Sequence, residues 1–301
     1  VSAAKVTFTD ADGYSLAVGG TLTLTGGGVS IDSQRSATIN ANIAVTTADQ
    51  QWTVASGKTL ALSGNVNCAS RQLVVQGYGI ASFSGAVSGA DFRTNSSGTA
   101  TFTGSSTLST SAFVIVGSGT NGTINWNSSG LLDPGARLYV GFGGIGNFTQ
   151  NAGTVGTLRA DLEFGAGSYY NLSNVNTALV VKSVNSYYNG QVPAGCSLNF
   201  ADGIFYAANA SNFSVSNGLS YTTASGRFAY VYSTSSVELQ GSFSGEGHLY
   251  KYGPGSLTLS GAGSHTGVTR VGVGTLILGN SQALQNSSLS MYSGDSGSVS
   301  F

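Results

Sequence analysis

The chain has 301 residues, a net charge of −1 and only 8% charged residues, against ~25% in an ordinary globular protein. That balance provides no basic field for nucleic acid or acidic lipid, and no run of ~18 apolar residues supplies a membrane-spanning helix. With 45 glycines, 3 prolines and 41% hydrophobic residues, the composition argues against disorder and suits many short strands joined by tight turns.

Residues 1–70 alternate polar and apolar positions. Side chains of a strand alternate faces with a period of two, so Leu22 and Leu24 point one way together, as do Leu60 and Leu62. The distance from the first pair to the second reads as two coils of ~19 residues each. Gly26 and Gly64 close the pairs and can take the φ > 0 conformation of a tight corner. Asp10-Ala-Asp12-Gly13 starts like a calcium loop, but Thr21 stands where that loop needs its glutamate, so no metal site is assigned. Val1 reads as the first residue of a processed mature chain with no signal peptide.

Residues 71–160 repeat a glycine phrase. Gly117-x-Gly119-x-x-Gly122 and Gly141-x-Gly143-x-x-Gly146 both have the spacing of a dinucleotide-binding loop. Asp161 even stands where the ribose-binding acid of the second loop could be, ~20 residues on. Such a loop needs a helix after it, so that the helix N-terminus faces the pyrophosphate. The residues after these two loops are Thr123-Ile124-Asn125-Trp126 and Asn147-Phe148-Thr149-Gln150, which are strand sequences. Two copies spaced like successive coils read as a repeated corner, and no cofactor is assigned. The calcium-binding nonapeptide pattern also fails, because Phe148 occupies its aspartate position.

Residues 161–235 hold twelve tyrosines and phenylalanines between Tyr169 and Tyr232. The stretch reads as an irregular, elaborated solenoid segment or a small β insertion. Its rings belong either to the core, stacked from coil to coil, or to an exposed interaction surface, since tyrosine tolerates being half wet.

Residues 236–301 carry the clearest periodicity. Leu257 and Leu259 recur as Leu276 and Leu278, with Gly261, Gly263 and Gly267 between them. A strand pair recurring about every 20 residues marks a β-solenoid. Gly245, Gly247, Leu249, Lys251, Gly253, Gly255, Leu257, Leu259 and Gly261 fall in a fixed register, followed by Gly267, Thr269, Val271, Gly274, Leu276 and Ala283-Leu284. This pattern resembles the autotransporter-associated β-strand repeat, also called the passenger-associated transport repeat, with His265 in place of the usual aromatic. The resemblance implies a secreted, right-handed bacterial β-helix and no particular activity. The run Val140 to Val155 is also similar to a repeat found beside it in large bacterial surface proteins.

The expected fold is therefore all-β: a right-handed parallel β-helix of roughly 19–24-residue coils. Residues 1–160 would be solenoid repeats, 161–235 the irregular aromatic segment, and 236–301 the autotransporter-type coils. One coil alone cannot repay the entropy of ordering it, so coils must stack, and the terminal ones are weakest. Cys68 and Cys196 would sit about six coils, or roughly 30 Å, apart at ~4.8 Å per coil, beyond the ~7 Å that a disulfide spans. Buried thiols follow within one subunit, and a bridge between subunits stays open.

Catalytic groups are scarce. His248 and His265 could land on neighbouring coils, but no Cys, Asp or Glu sits at ligand spacing beside them, and they read as solvent-facing corner residues. No nucleophile elbow is present, and the 12 acids form no cluster in sequence. Eight Asn-x-Ser/Thr sites, at Asn95, Asn121, Asn127, Asn147, Asn171, Asn209, Asn212 and Asn286, would mark exposed corners if modified. The reading is a non-enzymatic, extracellular structural protein. Its subunits would join head-to-tail through open solenoid ends into a surface filament or matrix, using Val6, Phe8, Met291, Val299 and Phe301. The alternative is an adhesin or passenger-type domain that binds a glycan or a cell surface.

Overall fold

The computed structural model describes residues 1–9, 14–17, 19–32, 35–185, 192–207, 213–215 and 218–301. None of these is helical; the chain is a β-solenoid of parallel strands in stacked coils. It divides into two compact units, Val1–Phe148 and Thr149–Phe301. Asp10, Asp12, Tyr187, Tyr188, Asn209 and Asn212 lie outside the described residues.

In the first unit a coil has three sides, made by three strands or by two where one long strand, such as Val87–Thr94, covers two sides. Ala37–Ile39, Asn42–Val45 and Gln50–Val54 form one coil, and Thr59–Leu62, Val66–Asn67 and Gln72–Gln76 the next. Each segment pairs in parallel with the same side of its neighbour. The step between partners is short at pairs such as Gln72 and Asp91 and longer at pairs such as Thr99 and Thr123. Alternate residues point inward, and in-register pairing stacks them in columns. One column runs Ile39, Leu62, Phe83, Phe102, Trp126. Phe83 and Phe102 stack at 5.0 Å, Phe102 meets Trp126 at 4.9 Å, and Trp52 caps Phe83 from another side at 6.1 Å. All four rings are buried. Each such pair adds about 0.5–1.5 kcal/mol beyond the area it buries.

The distance from Leu22 to Leu60 does not mark two coils. Leu22 and Leu24 pair with Ile43 and Val45, whereas Leu60 and Leu62 pair with Ala37 and Ile39 in a different sheet. Two coils beyond Leu22 the chain has passed through Ile43 to Val66, so Leu60 falls short of two turns by one side. The two Leu-x-Leu pairs look alike because both end at a corner. Gly64 is needed there for close approach: a Cβ on it would sit 2.2 Å from the Ala41 carbonyl oxygen of the preceding coil.

The two glycine phrases are stacked copies of one corner. Gly122–Ser128 and Gly146–Gln150 are strands, as the residues after each phrase required. The Gly122 N–H donates to the Ile145 carbonyl at 3.0 Å. Gly117, Gly119, Gly141 and Gly143 all have φ between +73° and +89°.

In the second unit the steps widen, as from Tyr169 to Ser197 and from Ala178 to Ile204, then narrow again, as from Phe228 to His248. The described part of the aromatic-rich stretch is thus made of parallel coils like the rest, with extra residues at the bends. The spacing of the two C-terminal Leu-x-Leu pairs is that of one coil: Leu257 pairs with Leu276, and Leu259 with Leu278.

Buried long side chains hold the bends. Lys251 is fully buried and donates from Nζ to the carbonyls of Tyr252 (3.1 Å), Gly253 (2.7 Å) and Val273 (3.1 Å). Gln150 does the same work from Nε2 to Gly153 (2.8 Å) and Ala178 (3.2 Å), and Gln50 to Ala48 (3.0 Å). Unpaired carbonyls inside a coil are costly, and one long donor answers several at once.

His265 is not a solvent-facing corner residue but is 1% exposed. It continues an interior column of rings. Tyr221 lies 6.1 Å from Phe243, and Phe243 lies 5.1 Å from His265, edge-on. Its Nε2 shares a hydrogen bond with Thr269 Oγ1 at 2.9 Å. Burial, then the nearby His248, lowers its pKa, so the ring is neutral at pH 7. Cys68 and Cys196 are free, buried thiols. Burial pushes the Cys68 thiol up to about 12, which keeps it protonated and unreactive at neutral pH.

Candidate functional site: an outward aromatic face

Outward positions of a solenoid need only be soluble, and on Thr99–Gly104, Gly122–Ser128 and Gly146–Gln150 they are Thr99, Thr101, Thr103, Thr123, Asn125, Asn127, Asn147 and Thr149. One sheet of the second unit departs from that rule. Its strands Ile204–Ala207, Phe228–Ser233, His248–Tyr252 and Val268–Val271 pair in parallel, in that order. Inward go Phe205, Ala207, Ala229, Val231, Leu249, Lys251 and Val271, all buried. Period-two alternation then sends Tyr206, Phe228, Tyr230, Tyr232, His248, Tyr250, Tyr252 and Arg270 outward, all half-buried.

Register arranges these residues in three columns. Ile204, Tyr230, Tyr250 and Arg270 form the middle one; Tyr206, Tyr232 and Tyr252 flank it on one side, and Phe228 and His248 on the other. Tyr206 and Tyr232 stack face to face, 4.4 Å apart and 6° from parallel. Tyr252 turns edge-on to Tyr232 at 4.9 Å, and Tyr250 to Tyr230 at 5.8 Å. Phe228 meets Tyr230 at 5.4 Å and His248 at 4.7 Å. The Tyr250 ring lies down over Gly272, where a Cβ would come 2.4 Å from its hydroxyl oxygen.

Charges on and beside this face are already paired. Arg270 sits 4.6 Å over both the Tyr250 and Tyr292 rings and makes a two-pronged bond to Asp295, at 3.0 and 2.7 Å. That bond holds the Asp295 carboxyl below the usual carboxylate range and raises Arg270 further. Asp202 accepts from Arg227 at 2.8 Å and from the Phe228 N–H at 2.9 Å. Burial, and then the neighbouring tyrosines, lift the Tyr252 hydroxyl to about 12, so it stays protonated. The face therefore offers neutral phenols, ring surfaces and one neutralised guanidinium. Such groups hold a ligand by ring contact and hydrogen bonding. Among the described residues no group of three or more His, Cys, Asp or Glu is placed to hold a metal.

The residues expected to mediate self-association are placed as follows. Val6 is half-buried on Ser2–Phe8, and Phe8, 5% exposed, packs 6.0 Å from Tyr14. In the second unit, Val299 pairs with Leu276 and is half-buried, while Met291 and Phe301 are 48% and 94% exposed. The aromatic stretch itself divides: Tyr170, Phe200, Phe205 and Tyr221 are core, while Tyr206, Phe228, Tyr230 and Tyr232 face out. A segment boundary at residue 235 separates Tyr250, Tyr252 and Arg270 from the rings they join in space. The recurrence of Phe228-x-Tyr230-x-Tyr232 as His248-x-Tyr250-x-Tyr252 is the sequence signal that connects them.

No family model, curated protein or solved structure matches this chain.

Proposed function

We propose that the chain is a non-enzymatic extracellular scaffold of the adhesin or autotransporter-passenger type, which binds a neutral polysaccharide on its outward aromatic face. The observation that carries this reading is the three-column array of half-exposed rings on a surface where folding asks for nothing aromatic. Exposed aromatic patches of this kind are interaction surfaces, and rings with a wet hydroxyl are well suited to them. A neutral ligand fits because both carboxylates and both guanidinium groups beside the face already satisfy one another. The test is retention of the purified chain on soluble neutral polysaccharides in affinity electrophoresis. Tyr250→Ala with Tyr252→Ala should weaken retention at least tenfold while leaving the circular-dichroism spectrum strand-rich. Equal retention of the variant on every polysaccharide that binds the parent discards the reading.

A second reading, a self-assembling subunit of a surface filament or matrix joined head-to-tail, draws on a separate observation. Around the strands Ser288–Ser290 and Ser298–Ser300, Leu289, Met291, Tyr292 and Phe301 are 46%, 48%, 57% and 94% exposed. These exposed apolar side chains would be the groups by which one copy meets the next. Negative-stain microscopy of the purified chain should then show long uniform filaments, and removal of Met291–Phe301 should leave dispersed particles. Filaments from the shortened chain would refute it.

A further inference from the structure

We propose that Tyr206 and Tyr232 are an oxidative cross-linking site, where a peroxidase with hydrogen peroxide joins the two rings as dityrosine and ties adjacent coils covalently. The inference goes beyond polysaccharide binding and does not depend on it.

Three observations on this pair converge. Register places Tyr206 directly beside Tyr232 on neighbouring strands. Their rings are parallel to within 6° at 4.4 Å, the tightest ring pair among those of the aromatic face. The stack sets the ring carbons of one tyrosine against those of the other. Both side chains are half-buried at the surface, so a small oxidant has access and the rings have room to hinge open. Tyr252, Tyr230 and Tyr250 surround the pair within a chain of ring contacts of 4.9 to 6.4 Å, so a radical formed on any of them can migrate to it.

The chemistry balances. Each phenol gives one electron and its hydroxyl proton to the peroxidase, leaving two phenoxyl radicals whose unpaired spin resides partly on the ortho carbons. Those carbons form one C–C bond. Each ring then shifts its ortho hydrogen to oxygen and regains its aromaticity. Two tyrosines lose two hydrogens in all, and one hydrogen peroxide becomes two waters. Coupling rotates the rings out of parallel about the new bond, towards solvent. The link closes a loop of one full coil, and such a tie restrains the unfolded chain.

The test is treatment of the purified chain with a haem peroxidase and limiting hydrogen peroxide. Dityrosine fluorescence, denaturing gel mobility and peptide mapping are then read. Expected are fluorescence in a species of monomer size, one cross-linked peptide pair containing Tyr206 and Tyr232, and a raised unfolding midpoint. Tyr206→Phe or Tyr232→Phe keeps the ring and should cut the monomer signal at least fivefold. Tyr78→Phe removes a hydroxyl on a residue 74% exposed in the other unit and should leave the signal intact. The proposal is overturned if fluorescence resides only in multimers, if the mapped link joins other tyrosines, or if Tyr206→Phe leaves the monomer signal unchanged. Thermal midpoints of the untreated Phe variants, matched to the parent, separate loss of chemistry from loss of fold.

Discussion

Gly241→Val is expected to lower stability by about 3–5 kcal/mol, at the far end of what single substitutions do. A Cβ at residue 241 would sit 1.7 Å from the Leu219 carbonyl oxygen and 2.8 Å from its carbon. Both are backbone atoms of the preceding coil, so nothing can rotate aside. The next coil repeats the contact, with a Cβ on Gly261 2.2 Å from the Gly241 oxygen. The clash must therefore be relieved by prising coils apart, at the expense of flanking bonds such as Tyr221 N–H to the Ser242 carbonyl, 2.9 Å. Gly226→Ala is the control. Its φ of +66° strains an L residue, but no atom lies within 4 Å of the new Cβ, so the cost is about 1 kcal/mol. Urea unfolding of the two variants beside the parent distinguishes the cases. Similar midpoints for both would mean that coil spacing is softer than the packing indicates.

Lys251→Ala is the second large effect, with an expected loss of about 2–4 kcal/mol. It leaves the carbonyls of Tyr252, Gly253 and Val273 without their shared buried donor and opens a cavity beside them. The same residue gives stability a pH dependence. Burial draws the folded ammonium from its ordinary 10.5 down to about 8. Between those values the unfolded chain keeps the lysine proton that the folded one gives up, so Lys251 by itself makes stability rise with pH. Buried thiols and phenols act the other way: desolvation raises Cys68 and Cys196 from 9.0 and Tyr170 and Tyr221 from 10.0, so above those values the folded state holds the extra protons and stability is drawn down. Chemical denaturation at pH 7.5, 8.5 and 9.5 should show the parent gaining stability relative to Lys251→Met as the pH rises, since the thiols and phenols are common to both.

Much of this was legible from residue order, and the parts that were not have identifiable causes. Leu257 and Leu276 announced their pairing because one strand pair recurred at one spacing, between glycines that no helix would keep. The two Gly-x-Gly-x-x-Gly phrases could be judged by the strands after them. Leu22 and Leu60 misled because a three-sided coil repeats its corner grammar on every side, so a composition match does not identify which side is meant. His265 misled because polarity predicts solvent, while the column it occupies is set by Tyr221 and Phe243 on earlier coils. The outward tyrosines were visible as a cluster. Their columns were not, because alignment across coils depends on a long step from Tyr206 to Tyr232 and a shorter one from Tyr232 to Tyr252, which no single period supplies.

Leu172 and Ala178 bound a bend of five residues, whereas one coil later Phe200 and Ile204 bound a bend of three, and the strands on either side still pair residue for residue. Length at a bend is thus decoupled from what the interior requires. Val175, 55% exposed, sits in the longer one. A foreign peptide spliced in beside it would be carried on a rigid footing without disturbing the register beneath, which makes this solenoid a natural chassis for display.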